Sequence, residues 1–451
     1  MADSSDNVLV SFFERHSKIV VVLLALYACW MIAKPLSKAQ ISGDFRGIRV
    51  AAGRLAAGER VFFPQLDAKD EMPNKHGLVF LVLMRPFAAL PEGIAQALWV
   101  AVSFVLLAHA LFLLSRMIAL SHGAALLALV LVAPFAHLLV KYAQTGFFLL
   151  WLLVLGAYFC RSRRPLAAGA LFGIAAAIKL FPIVLLPWAL WTGRGRVAAG
   201  FVIGIAASFA LPASIHGIDM TRSHMQDYVA MLREDTAASS HHPFHQSLRP
   251  LVLASIAPHY DVGIASEADA IEARRFDGVR NFAYGDRLWR SREVVVGIFT
   301  FLFVLVCAWA IPPWFSRRSS RRSTEVLDDT VLAEVGLVLS VMVLVSPLAW
   351  KHYYVWCLPM LVALLDLAAN RRIGRRARVW SRVAIIAFFV TLTVPHKGLI
   401  GVRLAEWYAV FQGYAAGLAV FCILAAIAVR SSYAERSSGE TVTDDPRTAV
   451  S

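Results

Sequence analysis

The sequence predicts an all-α protein that crosses a membrane many times. Three observations carry that reading. The 451 residues are 59% hydrophobic and 16% charged, with a mean hydropathy of +0.63; soluble domains carry about 25% charge. Several apolar runs approach the ~20 residues that ~30 Å of hydrocarbon requires. The arginines gather in a few short loops between those runs. Backbone in lipid must satisfy its own hydrogen bonds, and for runs of this length that means helices.

Taken in order, residues 1–17 form a cytoplasmic N-terminus, and the first span covers 18–33. No small-residue cleavage site follows it, so it is read as a retained span rather than a signal peptide. A polar stretch runs from Pro35 to His76. The apolar piece Gly77–Leu90 is broken by Arg85-Pro86 and closed by Pro91, and it is short for a crossing. It is expected to be a re-entrant or interfacial helix. Spans follow at 93–114, 123–140, 147–160, 166–178, 181–191, 198–215, 293–313, 331–349, 353–369, 383–396 and 407–429, about twelve in all. The short 181–191 piece, entered through Pro182, reads as half of a broken helix. Residues 431–451 are rich in Ser, Thr and acids and are expected to be a disordered cytoplasmic tail.

Charge orients the chain. With the N-terminus inside and 77–90 not crossing, the arginine-rich loops 161–164, 194–196, 317–322 and 371–382 all fall inside. The short outer loops then hold Lys141, Lys179, Lys351, Lys397 and Arg403. A crossing at 77–90 would invert every later loop against the positive-inside rule. The expectation is a plasma (inner) membrane protein with both termini cytoplasmic and outer loops at about 35–92 and 216–291.

The net charge of +14 is accounted for by this topology, and no basic–aromatic strip points to nucleic acid. The five cysteines lie in or beside spans without CxxC spacing, as packing residues do. His241, His242 and His245 lack companion ligand spacing, so no metal is assigned. His109 and His137 read as helix-packing residues.

Unusual polar groups converge on the outer face. Asp44 follows the first span in Ile41-Ser42-Gly43-Asp44-Phe45-Arg46. It could deprotonate a hydroxyl, or simply cap the helix predicted from Phe45. Asp67, Asp70 and Glu71 compete for the role of base. Gln144, beside Tyr142, occupies the turn Lys141–Gly146. Lys179 sits among apolar neighbours, where a lysine needs a partner or an anionic ligand; snorkelling is the alternative. Trp350-Lys351-His352-Tyr353-Tyr354 follows Ser346-Pro347. Its aromatics suit an interfacial belt, and His352 could bind phosphate or move a proton.

With those residues in view, the chain resembles the GT-C superfamily of polyprenol-phosphate-sugar-dependent glycosyltransferases, and within it glycosyltransferase family 87. The resemblance rests on Gly43-Asp44-Phe45, Gln144, the run from Ala168-Gly169 to Lys179-Leu180-Phe181-Pro182, and Ser346–Tyr354, with a weaker match at His245-Gln246-Ser247-Leu248. It covers roughly residues 40–365. It implies inverting transfer of a sugar, mannose first and arabinofuranose second, from a polyprenyl-phosphate donor to a glycolipid or cell-envelope glycan, with no cofactor. It casts Asp44 as general base and His352 at the donor site. Lys179, Lys351, Gln144 and Tyr353 are then candidates for the donor phosphate, and Trp350, Tyr354, Tyr142, His245 and Gln246 for the surrounding substrate wall. Two departures stand out. Ala143 and Thr145 flank Gln144 where a glycine and a nearby asparagine are expected, and Lys351 replaces a residue that is more often polar or acidic. The competing reading is a flippase for lipid-linked sugar, which would place acids near mid-span.

Overall fold

The computed structural model describes residues 15–36, 42–62, 74–118, 122–239, 245–256, 286–313, 323–346, 349–370 and 373–438. Asp67, Asp70, Glu71, His241, His242, Pro347, the run 317–322 and the tail beyond Ser438 lie outside these residues. Among those described, regular structure is helical, with one isolated antiparallel bridge, His245 to Trp350.

The helices are α1 (Ser17–Leu36), α2 (Gly43–Ala56), α3 (Leu78–Ala88), α4 (Glu92–Arg116), α5 (His122–Lys141), α6 (Gly146–Arg161), α7 (Pro165–Ile178), α8 (Leu185–Trp191), α9 (Gly195–His216), α10 (Ile218–Ser239), α11 (Leu248–Ile256), α12 (Asp286–Trp309), α13 (Ser323–Val345), α14 (Leu358–Ala369), α15 (Arg375–Phe388), α16 (Lys397–Ile400), α17 (Val402–Val410) and α18 (Gly413–Ser438). Tight 3-10 turns, Phe181–Val184 and Lys351–Cys357, lead into α8 and α14. Six described helical segments are long and apolar enough to cross a membrane unaided, by length and composition. At 11 residues, α3 is about 16 Å long and too short to span.

Several boundaries differ from the hydropathy reading. The outer stretch 216–291 contains α10 and α11. The expected last span, 407–429, is divided at Phe411–Gln412 between α17 and α18. Gln412 there has φ +56°, which ends one helix before the next begins. The last helix continues to Ser438, into the stretch expected to be disordered. Helix α13 begins before residue 331, so Glu334 sits inside a helix rather than near its end. It is fully buried and accepts from Trp188, Arg194, Thr330 and Tyr433.

One packing pair places the site. Helices α7 and α9 meet through Gly169, Gly173, Gly200 and Gly204. A Cβ on Gly169 would lie 2.0 Å from the Val197 carbonyl oxygen, and one on Gly204 would lie 2.2 Å from that of Ala170. Only glycine permits such backbone approach. The register, 166 against 200 and 170 against 204, runs upward on both helices, so they are parallel. Lys179 ends α7 and takes extended backbone (φ −146°) before Pro182.

Candidate active site

Helix α2 buries Phe45, Ile48, Ala51, Ala52 and Leu55 along one face, the spacing of an amphipathic helix laid on the bundle. The cap position belongs to Ser42, not Asp44. Ser42 donates its backbone N–H to Gln96 Oε1 at 2.9 Å and its hydroxyl to the Tyr142 carbonyl at 2.7 Å. Arg46 pairs with Glu92 at 2.7 Å and Arg49 donates to the Leu90 carbonyl, which fixes the helix against the start of α4. Asp44, in the first turn, accepts a hydrogen bond from Gln144 Nε2 at 2.6 Å.

Gln144 is held by its own turn. Ala143 takes φ +46°, and the Gln144 N–H donates to the Leu139 carbonyl at 2.9 Å. Two indoles clamp the turn from outside: Trp99 donates to the Ala143 carbonyl at 3.1 Å and Trp356 to that of Gly146 at 3.0 Å. The bond to Asp44 closes this geometry.

The cationic side follows. Lys179 is 5% exposed, and its ammonium donates to the Tyr353 hydroxyl while lying 4.1 Å from the centroid of that ring. It sits in the turn after α7, outside the spans. Burial pushes it down to about 7; Lys75 adds to the effect, and Asp44 opposes it. Tyr353 stacks on Trp356 at 4.9 Å. His352 meets the Tyr353 ring edge-on at 4.5 Å, Trp350 stacks on His352 at 6.3 Å, and His245 meets Trp350 at 4.9 Å. Among the described residues the buried His352 Nε2 has no hydrogen-bond partner, so it is able to bond to a bound molecule.

The structure therefore brings together Asp44, Gln144, Lys179, Tyr353, His352, Trp350 and His245. Four other expected residues go elsewhere. Tyr354 donates its hydroxyl to the Gln246 carbonyl at 2.8 Å, and the Gln246 amide donates to the Ala409 carbonyl at 2.7 Å. Both polar ends staple the loop. Lys351 lies over the Tyr414 ring at 4.5 Å and Tyr142 against Lys141 at 5.2 Å. His109 and His137 do pack between helices, on Trp151 and Tyr27.

His76 escaped the sequence reading. It is fully enclosed, with Nε2 2.9 Å from Thr145 Oγ1 and Nδ1 3.1 Å from Asn74 Oδ1. Burial first, then Lys179 and Lys75, drive it well below the usual histidine range. Its neighbour Gly77 donates to the Ile178 carbonyl at 2.9 Å, and a Cβ there would strike the Ala177 carbonyl at 2.0 Å. The only sequence signal was a Lys-His-Gly step just before an apolar helix. Over this corner lies α10, through the Arg60–Asp227 pair at 2.9 Å and Tyr228 on Phe62 at 4.9 Å.

Among the described residues, no group of three or more His, Cys, Asp or Glu side chains could hold a metal ion. Chemically, the cluster offers one carboxylate fixed by an amide and, beside it, a buried ammonium and a buried imidazole.

The polyprenol-phosphate-mannose-dependent alpha-(1-2)-phosphatidylinositol mannoside mannosyltransferase of Mycolicibacterium smegmatis is 39% identical over 97 residues, 21% of this chain and 20% of that protein. The corresponding pentamannoside mannosyltransferase of Mycobacterium tuberculosis is 22% identical over 363 residues, 78% of this chain and 72% of its own length. A crystal structure of ArnT from Cupriavidus metallidurans bound to undecaprenyl phosphate aligns over 93% of this chain and 78% of its own, at 15% identity and TM-score 0.41. The model of glycosyltransferase family 87 matches residues 76–263, a stretch that holds His76, Gln144, Lys179 and His245. The matched stretch, 188 of the 451 residues, is similar to glycosyltransferase family 87.

Proposed function

We propose that this chain is an inverting glycosyltransferase that moves mannose from a polyprenyl-phosphate donor to a glycolipid or envelope-glycan hydroxyl on the extracytoplasmic face. One observation carries the reading: the Asp44 carboxylate, held by Gln144 at 2.6 Å, lies near enough to the buried Lys179 to act on its charge. Asp44 takes the proton of the acceptor hydroxyl as that oxygen bonds to the anomeric carbon. The bond from that carbon to the phosphate oxygen breaks, and its electron pair leaves with the lipid phosphate. Lys179 and His352 face the charge that grows there, and the dry site strengthens that interaction. The names of both mycobacterial relatives specify a polyprenol-phosphate-mannose donor, which favours mannose over arabinofuranose.

The transport reading has one observation on its side, a buried acid within a helix. Glu334, however, is engaged by four donors, including Arg194 at 2.8 Å. A carboxylate so held is a strut between helices rather than a proton carrier.

The test is transfer from polyprenyl-phosphate mannose to membrane acceptors by Asp44→Asn and Asp44→Ala. Loss of a general base lowers turnover by about 10²–10⁴-fold with donor binding retained. Full turnover by both variants would remove Asp44 from the chemistry.

A further inference from the structure

The short segment from Asn74 to Gly77 touches both turns that build the candidate active site. On one side, His76 Nε2 lies 2.9 Å from the Thr145 hydroxyl. Thr145 follows Gln144, the residue that holds Asp44 at 2.6 Å. On the other side, the Gly77 N–H donates to the Ile178 carbonyl at 2.9 Å, one residue before Lys179. The base turn and the lysine turn come from different helix junctions, and this segment joins them.

The hydrogen-bond pattern fixes the imidazole. Asn74 Nδ2 donates to the His76 carbonyl at 3.0 Å, and the His76 N–H donates to Asn74 Oδ1 at 3.3 Å, which orients the amide. Nδ1, 3.1 Å from that same oxygen, must then carry its proton. Enclosure, with Lys179 and Lys75 nearby, disfavours a second proton on the ring. Nε2 is therefore an acceptor, and the Thr145 hydroxyl donates to it. Thr145 stands at the N-cap of α6, where a threonine ordinarily turns its oxygen to its own helix. It makes no such bond. Its buried hydroxyl is committed instead to a ring 69 positions away in sequence. A buried polar pair adds little net stability, but it selects one geometry. Here that geometry is the placement of the base turn relative to the lysine turn.

We propose that His76 is a positioning residue for transfer: through Thr145 it sets the Gln144–Asp44 pair at the reach from Lys179 that attack on the donor requires. The inference rests on the glycosyl-transfer reading above.

Kinetics of the full chain in membranes, with polyprenyl-phosphate mannose and the acceptors used for the Asp44 variants, test it. Thr145→Val removes the donor hydroxyl at nearly constant volume, and His76→Asn shortens the side chain so that it no longer reaches Thr145. Each is expected to lower kcat by about 10–100-fold, the cost of a displaced reacting group. The donor KM is expected to hold, because the Gly77 backbone bond still anchors the segment to the lysine turn. His76→Gln, whose amide oxygen accepts in place of Nε2, and Thr145→Ser are expected to recover most of the turnover. The double variant His76→Asn/Thr145→Val should lose no more than either single change. A purely structural role would lower Tm without that split between kcat and KM and without the rescue. Nitrogen-15 NMR of histidine-labelled wild type reads the tautomer whether or not the weaker variants fold. The signals that vanish in His76→Gln should show a protonated Nδ1 and a bare Nε2, and the reverse tautomer overturns the proposal. Unchanged kcat in Thr145→Val and His76→Asn, with Asp44→Asn impaired, also overturns it and leaves the transfer reading intact. Full turnover by Asp44→Asn overturns the transfer reading, and the positioning role falls with it.

Discussion

Lys179 is a lysine whose charge depends on its surroundings. Burial pushes it down to about 7, so the unliganded site loses its ammonium as pH rises through neutrality. A phosphate needs the protonated form. The KM for polyprenyl-phosphate sugar should therefore be flat below pH 7 and rise about tenfold per unit above it. In Lys179→Arg the rise should vanish, because guanidinium stays charged; a KM independent of pH in the wild type removes Lys179 from donor binding. His76 shows the opposite dependence, read in stability. Its folded pKa is depressed by burial, so the unfolded chain binds the extra proton, and its contribution is complete above the unfolded value of about 6.5 and lost as pH falls below it. His76→Gln should flatten the acid limb of the unfolding curve by about 1.4 kcal/mol per pH unit, measured by denaturant titration at stepped pH. Gln144 and Lys179 were legible as polar groups where apolar ones belong. The Asp44–Gln144 bond was not, because it joins residues a hundred positions apart. Nor was the diversion of Tyr354 and Gln246 into stapling, since a polar side chain looks the same in sequence whether it meets a substrate or a carbonyl.

At the level of elements, the parallel α7–α9 contact sets where Lys179 ends. A side chain at Gly173 would place its Cβ 2.1 Å from the Phe201 carbonyl oxygen, with backbone on both sides and no flexible group to yield. Gly173→Leu should force the helices apart, lower Tm by several degrees and raise the donor KM through displacement of the lysine turn. Gly53→Ala is the matched control. Nothing lies within 4 Å of its added Cβ in α2, so it should be neutral or stabilising by about 0.5–1 kcal/mol. Equal effects of the two changes would show that the glycine contact is not limiting. Hydropathy located the helices well because lipid allows few alternatives. It located their ends poorly, since a polar extension such as 431–438 remains helical without an apolar signal. The same limit hid α10. Its mixture of charged, polar and apolar residues reads as a water-exposed stretch, although it closes over Phe62 and Lys75.

For the whole molecule, the Gln144 turn of the candidate catalytic cluster and the arginine-bearing turn at 162–164 lie at opposite ends of α6. Helix α6 joins the Lys141–Gly146 turn to the turn at 162–164, and its 16 residues rise about 24 Å. The sequence reading takes α6 as a span, and on that reading the two turns face different compartments. On the same reading, Arg161, Arg163 and Arg164 against a single lysine at Lys141 predict that the first turn lies outside. The prediction can be tested with single cysteines at Lys141 and Arg163, in a background with the exposed Cys29 replaced by serine. A membrane-impermeant maleimide should label Lys141→Cys in intact cells and Arg163→Cys only after permeabilisation. The reverse pattern would move Asp44 and Lys179 to the cytoplasmic face. The donor lipid would then have to present its sugar there, and the extracytoplasmic assignment would fall while the catalytic geometry stood.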